Sequence, residues 1–235
     1  MSEIDEKTDI VYLETPTNPM MVEFDIKKIV EITHHNGAVL IVDNTFYSPV
    51  YQQPITLGAD IVIHSATKYL SGHNDVLAGV VIANNEETYQ SLLYELNTTG
   101  ATLSPFDSYL VLRGLKTLKL RMERATFNAQ KIVDFLKNND AINDVIYTGK
   151  GGMISFKIKE IEHIPEFLNH LKIISFAESL GGVESLITYP ATQTHADIPK
   201  EMRESYGLTD DLLRLSVGIE DVDDLINDLK QALQA

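Results

Sequence analysis

The segment Ile61–His73 reads IVIHSATKYLSGH and joins an apolar run to a lysine. The run Ile61–Ile63 is short and β-branched, which is typical of a buried strand. Lys68 follows it, flanked by hydroxyl groups and glycine. A strand-end lysine usually packs its stem and extends its charge to water. The alternative is a desolvated amine of lowered pKa that forms a Schiff base, and the rest of the sequence favours this second interpretation.

A second predicted strand also ends in a polar side chain. The run Ala38–Val42 is followed directly by Asp43. Pyridoxal phosphate enzymes need a lysine for the cofactor aldehyde and an acid for the pyridine nitrogen. Ligands of open α/β sheets bind at the carboxyl ends of strands, where we expect both Asp43 and Lys68. The hydroxyls of Ser65 and Thr67 are predicted to donate to a phosphate beside the lysine.

Composition excludes several classes of partner and site. The 235-residue chain carries a formal net charge of −15, which argues against nucleic acid and anionic membranes as partners. It has no cysteine, so disulfides and thiolate metal sites are excluded and a reducing cytoplasm is predicted. The start of the chain is polar and no apolar run reaches membrane-spanning length. The histidines are scattered, and we predict no metal site.

Apolar runs that alternate with helical spacing predict an α/β fold. The first part is predicted to form a mainly parallel sheet from strands 9–14, 38–44, 60–66 and 78–83, with a helix over 26–35 that Asp25 caps. Helical spacing then predicts helices over 106–120 and 121–136. In the last part we predict a half-buried strand over 153–158, a helix over 164–171, extended segments over 185–189 and 212–217, and a closing helix over 221–233.

Two glycine clusters do not match phosphate-binding motifs. Gly149–Gly152 includes Lys150 but lacks the spacing and the hydroxyl residue of a phosphate loop, so it predicts a tight turn. Gly181 and Gly182 lack the dinucleotide fingerprint. His64 and His73 flank the lysine segment, and we interpret them as hydrogen-bonded structural histidines.

Long strings of the sequence resemble the Cys/Met-metabolism pyridoxal phosphate enzymes, the transsulfuration group. The resemblance covers nearly the whole chain, and its matching strings, in order, are Glu14–Pro19 (ETPTNP), Val42–Phe46 (VDNTF), His64–His73 (HSATKYLSGH), Ala177–Ser185 (AESLGGVES) and Leu213–Gly218 (LRLSVG). It implies the aspartate-aminotransferase-like, type I fold of pyridoxal phosphate-dependent transferases. The implied division is a partial large domain over 1–118 and a smaller C-terminal α/β domain over 119–235.

The resemblance also implies residue roles at the matching positions. Lys68 would be the Schiff-base lysine and proton carrier, with Asp43 on the pyridine nitrogen and Ser65 and Thr67 on the phosphate. The substrate, its α-carboxylate above all, would be bound by Arg214, Ser179, Asn18 and Glu178, and Asn18 would also contact the cofactor. An arginine suits a carboxylate because its guanidinium donates two parallel hydrogen bonds. From the residues alone, an internal salt bridge explains Arg214 as well as carboxylate binding does. Turn chemistry between two prolines is by itself a strong explanation for Asn18.

The resemblance leaves several reactions open. Glu178 occupies a position where an acid accompanies γ-chemistry in several members, which favours cystathionine γ-synthase or γ-lyase. The short connection 144–153 resembles that of methionine-pathway members that make or cleave cystathionine, so a cystathionine β-lyase stays open. An O-acetylhomoserine sulfhydrylase is an alternative, whereas an aminotransferase is disfavoured by the string 178–185. Expected substrates are cystathionine, an O-acyl-homoserine or cysteine, and the expected assembly is a homotetramer of dimers.

The chain also departs from the resemblance. Members of the group are substantially longer, and this chain begins where their middle begins. We therefore expect an amino-terminally truncated member, and an inactive remnant is the competing hypothesis. A second departure is the short connection 144–153, which we interpret as lineage variation.

Overall fold

A four-stranded sheet carries the segment Ile61–His73. The computed structural model describes residues 4–234, so the first three residues of the polar amino-terminal segment and Ala235 lie outside it. The strand order is β1-β2-β3-β4; the first three strands are parallel and the fourth is antiparallel to β3. The predicted mainly parallel sheet is confirmed. Its strands are β1 (Ile10–Glu14), β2 (Val39–Asp43), β3 (Ile61–Ser65) and β4 (Gly79–Ala83).

The helix α1 (Ile26–His35) covers one face of this sheet. The carboxylate of Asp25 accepts from the backbone N–H of Lys28 at 3.2 Å, which confirms the predicted N-cap. Ile26 and Ile29 are buried in one cluster with core residues of β2. The crossover from β1 through α1 therefore aligns β1 and β2 in parallel, with their carboxyl ends at one edge of the sheet. The short helix α2 (Ser48–Tyr51) follows β2.

Three helices link this sheet to the rest of the chain: α3 (Glu86–Thr99), α4 (Pro105–Leu115) and α5 (Leu118–Lys137). The predicted break between residues 120 and 121 is wrong, because α4 ends at Leu115 and α5 begins at Leu118. Apolar spacing runs through both helices without interruption, so periodicity cannot locate the break. Next to the break, α4 packs closely against the lysine segment: a Cβ on Gly114 would lie 2.2 Å from the carbonyl oxygen of Ser71.

The last part of the chain forms a five-stranded sheet of order β5-β6-β9-β8-β7. Three helices, α6 (Ile164–His170), α7 (Lys200–Ser205) and α8 (Val222–Ala232), accompany it. The predicted strands and helices of this part are confirmed within one or two residues. Its strands are β5 (Ile142–Ile146), β6 (Met153–Ile158), β7 (Ser175–Phe176), β8 (Leu186–Thr188) and β9 (Leu212–Ser216).

Two features of this sheet correct the sequence predictions. The segment 144–153, predicted to be a connection, begins inside β5. A bulge between Ile142 and Asp144 interrupts the alternation of buried and exposed residues, so the two-residue periodicity of a strand is not visible in the sequence. β6 is buried on both faces rather than half-buried. Ile154 and Phe156 pack into the helix-covered core, whereas the hydroxyl of Ser155 donates to the carbonyl of Pro19 at 2.6 Å. The first part of the chain therefore covers the face that was predicted to meet water.

A buried carboxylate joins α8 to the segment before β7. Asp228 accepts from the backbone N–H groups of Lys172, Ile173 and Ile174 at 2.9 to 3.0 Å.

Asp228→Asn would replace one carboxylate oxygen with an amide NH₂ that faces backbone N–H donors. We therefore expect a loss of about 2–3 kcal/mol in the free energy of unfolding, measured by urea denaturation. The exposed Asp134→Asn on α5 is the control, with a change of roughly 0.5 kcal/mol or less. Equal losses in both variants would contradict this role.

Within residues 4–234, no helix is both long and apolar enough to cross a membrane.

Candidate active site

The carboxyl ends of β2 and β3 place Asp43 beside the lysine segment. Asp43 is the last residue of β2 and pairs in register with Ile63 of the neighbouring β3. Its Oδ1 accepts from the backbone N–H of Thr45 at 2.9 Å, and its Oδ2 accepts from the hydroxyl of Tyr12 at 3.1 Å. β3 ends at Ser65, whose N–H donates to the hydroxyl of Thr45 at 2.8 Å. Thr45 therefore ties the two strand ends together.

Lys68 projects from a π-helical turn, Ala66–Leu70, that begins directly after β3. Its Nζ lies 3.5 Å from the hydroxyl of Ser179. Partial burial, followed by the positive charge of Arg214, lowers the pKa of Lys68. A larger share of the amine is therefore neutral near neutral pH, as a nucleophile or base requires.

The hydroxyl of Thr67 is held by the loop before β4. It accepts from the N–H of Ala78 at 3.0 Å and lies 3.3 Å from the carbonyl of the same residue. The N–H of Thr67 also donates to that carbonyl, at 3.1 Å. The backbone and the side chain of Thr67 are thus both held by Ala78.

Arg214 is a buried guanidinium on β9, only 1% exposed. Its Nη1 donates to Oδ1 of Asn18 at 2.9 Å, and its Nη2 donates to the carbonyl of Glu178 at 2.7 Å and to the hydroxyl of Thr188 at 2.8 Å. Burial lowers the pKa of Arg214 to about 10. None of the ion pairs within residues 4–234 includes Arg214, so the salt-bridge alternative is wrong for the described part of the chain.

One nitrogen of Arg214 is left for another acceptor. Its Nε is buried and has no hydrogen-bond partner within the described residues. A buried donor without a partner costs free energy, and it is commonly satisfied by a ligand or water. The arginine is therefore oriented by neutral acceptors, and it keeps both its charge and a donor for an anion.

The turn that holds Asn18 meets the second sheet. The N–H of Asn18 lies 3.3 Å from Oε2 of Glu14, and the next residue, Pro19, accepts from Ser155. Turn chemistry and the contact with Arg214 therefore coexist at Asn18. The side chain of Glu178 is exposed, and only its backbone carbonyl contacts the arginine.

Sequence reasoning missed three polar residues of this region. Tyr12 donates to Asp43, Thr188 accepts from Arg214, and Glu14 contacts Asn18. Tyr12 and Thr188 belong to no pattern that marks them, since each acts through a residue distant in sequence. Glu14 opens the matching string 14–19 and contacts Asn18 four positions later, but it was given no role. His64 is buried, its Nδ1 has no partner within the described residues, and burial lowers its pKa. The predicted hydrogen bonding of His64 is thus incomplete.

A desolvated lysine and a carboxylate at neighbouring strand ends, with a buried arginine on an adjoining sheet, define the class of pyridoxal phosphate-dependent α/β enzymes. The chain belongs to the family of Cys/Met metabolism PLP-dependent enzymes, whose family model matches residues 1–234. This membership confirms the resemblance and the expected cofactor class.

The relatives differ in the reaction that they are named for. The chain is 57% identical over 232 residues to a cystathionine gamma-synthase/O-acetylhomoserine (thiol)-lyase of Bacillus subtilis, and the match covers 99% of this chain and 62% of that protein. It is 49% identical over 245 residues to a cystathionine beta-lyase of Lactococcus lactis subsp. cremoris, with 97% and 64% covered. The chain thus spans less than two thirds of the length of these relatives.

Solved structures bear out the predicted fold. The chain superposes with a TM-score of 0.94 and 40% identity on cystathionine gamma-lyase from Lactobacillus plantarum complexed with L-serine, covering 99% of this chain and 65% of that one. The TM-score is 0.93, with 41% identity, for cystathionine gamma synthase from Xanthomonas oryzae pv. oryzae in complex with cystathionine, where 96% and 63% are covered. The type I PLP-dependent transferase fold is therefore confirmed.

Proposed function

We propose that this chain is the catalytic portion of a PLP-dependent enzyme that makes or cleaves cystathionine. The observation that carries the proposal is the desolvated Lys68, which shares one sheet edge with Asp43 and faces Ser179. The donor set fits the cofactor: an amine for the aldehyde, a carboxylate for the pyridine nitrogen, and the Ser65 and Thr67 hydroxyls for the phosphate. When bound, the cofactor supplies an electron sink for charge that develops at the substrate Cα.

The remaining side chains suit an amino-acid substrate. Arg214 binds the α-carboxylate, because its charge is not neutralised by an ion pair and its Nε lacks a partner within the described residues. Asn18 orients the guanidinium. Ser179 lies beside both groups, with its carbonyl 3.5 Å from Nη2 of Arg214 and its hydroxyl 3.5 Å from Nζ of Lys68. Lys68 removes the proton at Cα and returns one at a later step. We assign the exposed side chain of Glu178 to the part of the substrate beyond the α-carboxylate.

The particular reaction is proposed from the named relatives. Their names include cystathionine gamma-synthase, beta-lyase and gamma-lyase at 49% to 57% identity. We therefore propose cystathionine, an O-acyl-homoserine or cysteine as substrates. An O-acetylhomoserine sulfhydrylase is retained as an alternative, because the Bacillus subtilis relative carries both activities in its name.

Domain division, assembly and location are parts of the same proposal. The division after residue 118 is supported by the start of α5 at Leu118, which leads from the first sheet to the second. A homo-oligomer, a dimer or tetramer, is supported by large apolar side chains exposed on α4, Phe106 at 68% and Leu112 at 62%. A cytoplasmic location is supported by the absence of cysteine.

A second candidate is a remnant that is inactive on its own. Exposed apolar side chains on and beside the first sheet favour it: Leu77 is 85% exposed and Tyr12 59%. β1 is an edge strand of the described sheet, and edge strands tend to pair with other chains. Such a chain would fold around the same residues but retain little cofactor.

One experiment separates the two candidates. The purified chain is incubated with pyridoxal phosphate, freed of excess, examined by absorption spectroscopy, reduced with borohydride and mapped by mass spectrometry. We expect a cofactor band in the visible region and a cofactor-labelled Lys68, followed by turnover of cystathionine. A chain that retains no cofactor, or is labelled at random lysines, would contradict the catalytic proposal and favour the remnant.

A further inference from the structure

A second buried arginine lies beneath the lysine turn. Arg121, on α5, is 6% exposed, and its Nη1 donates to the carbonyl of Tyr69 at 2.8 Å. Its Nη2 donates to the carbonyl of Gly114 at 2.9 Å and lies 3.4 Å from that of Leu70, and its Nε donates to the hydroxyl of Thr117 at 3.1 Å. No ion pair within residues 4–234 includes this guanidinium.

Glycine makes room for this side chain. A Cβ on Gly72, which has a φ of +74°, would lie 2.0 Å from Nη1 of Arg121. A Cβ on Gly114, whose carbonyl accepts from Arg121, would clash with the carbonyl of Ser71. A buried charge without a counter-ion is a costly way to join two segments, and an apolar side chain would fill the same space at less cost. We therefore attribute the presence of the guanidinium to the hydrogen bonds that it donates. Two of its acceptors are the carbonyls of Tyr69 and Leu70, which follow Lys68 in the chain.

The lysine turn needs such support from outside. The turn Ala66–Leu70 is π-helical and departs from helical geometry at Lys68, with φ −91° and ψ −129°. Its own hydrogen bonds run from Ser71 N–H to the Ala66 carbonyl at 3.0 Å and from Gly72 N–H to the Lys68 carbonyl at 2.8 Å. Neither of these hydrogen bonds uses the carbonyl of Tyr69 or Leu70. Arg121 supplies a donor to each of these two carbonyls.

The opposite side of the turn is packed just as closely. A Cβ on Gly181 would lie 2.9 Å from the backbone nitrogen of Tyr69 and 3.2 Å from Cβ of Lys68. The N–H of Gly181 donates to the hydroxyl of Ser216 on β9 at 2.8 Å. The backbone at Lys68 is thus held between Arg121 on one side and the 179–181 loop, which carries Ser179, on the other.

We propose that Arg121 is a positioning residue: by holding the carbonyls of Tyr69 and Leu70, it fixes the turn that directs the Lys68 amine towards Ser179. The inference rests on the proposed function only in taking Lys68 as the reactive amine. Arg121 acts through the backbone and does not itself contact a substrate. Arg121→Lys keeps a cation but loses the planar fork, so it can hold at most part of this set of acceptors.

The test follows the Lys68 amine in the apo chain. Wild type, Arg121→Lys and Arg124→Lys are labelled with a limiting amount of acetic anhydride between pH 7 and 11, and labelling at Lys68 is quantified by mass spectrometry. Arg124 is the matched control, because it lies on the same helix and donates to the carbonyl of Glu220, away from the turn. We expect the Arg121→Lys labelling profile to move to higher pH, with labelling at pH 8 reduced about threefold or more, because a loosened turn hydrates the amine.

A purely structural role predicts a different pattern. Arg121→Lys would then melt earlier while the Lys68 labelling profile stayed that of wild type, and this result would overturn the inference. If circular dichroism shows that Arg121→Lys is unfolded, the same labelling experiment is done with Thr117→Val. This variant removes only the hydroxyl that accepts from Nε of Arg121. We expect a smaller shift in the same direction, and an unchanged profile would overturn the inference. The apo measurement needs no cofactor, so a failure of the proposed function is seen separately, as absent cofactor uptake by wild type.

Discussion

Replacing Lys68 with alanine is expected to lower turnover of cystathionine or a homoserine ester by on the order of 10³-fold or more. The loss has two physical sources. The variant lacks the amine that would bond to the cofactor aldehyde, and it lacks the base that moves the Cα proton. Lys68 is suited to both roles because burial and Arg214 lower its pKa. The measurement is steady-state turnover together with the cofactor absorption band, which we expect to be lost.

The control for this variant is Lys119→Ala. Lys119 lies on α5 with its side chain 77% exposed, where it pairs with Glu123 at 3.8 Å. Because an exposed ion pair contributes little, we expect wild-type turnover and spectrum. Turnover of Lys68→Ala within tenfold of this control would exclude Lys68 as the base.

Arg214→Lys is expected to raise KM for an amino-acid substrate about 100-fold, since losing a buried charge-assisted hydrogen bond costs roughly 3 kcal/mol. A lysine retains the charge but donates from a single nitrogen. It cannot hold Asn18, the Glu178 carbonyl and Thr188 while also meeting a carboxylate. The measurement is KM and kcat of wild type and variant, with urea denaturation to show that the variant is folded.

A substrate analogue makes this prediction specific. With the α-carboxylate of the substrate replaced by a carboxamide, wild type and Arg214→Lys should have similar KM values, because the variant then loses no charge-assisted contact. Arg124→Lys controls for the substitution itself and should leave KM unchanged. If Arg214→Lys raises KM equally for the carboxylate substrate and for the carboxamide analogue, the arginine stabilises the fold and does not bind the carboxylate.

Local sequence patterns were sufficient for much of the architecture. The cap at Asp25, the apolar stripe of α8 and the runs that form β2, β3 and β9 each depend on neighbouring residues, so periodicity and capping predict them. β5 and the α4–α5 break were not predicted. The first carries a bulge, and the second lies in a stretch where apolar spacing continues from one helix into the next.

The sequence by itself determined the class of the protein and the edge of the sheet at which its chemistry lies. A buried strand that ends in Asp43, and another that leads into Lys68, place both groups at carboxyl ends, because side-chain order along a parallel strand is a local property. Only the tertiary structure decided how Arg214 is used. Thr188 lies opposite Arg214 on the neighbouring strand β8, and Glu178 lies in the segment before that strand. Asn18 comes from the first part of the chain, and packing between the two sheets brings it to the guanidinium. Such contacts depend on how whole elements pack, which no local periodicity encodes.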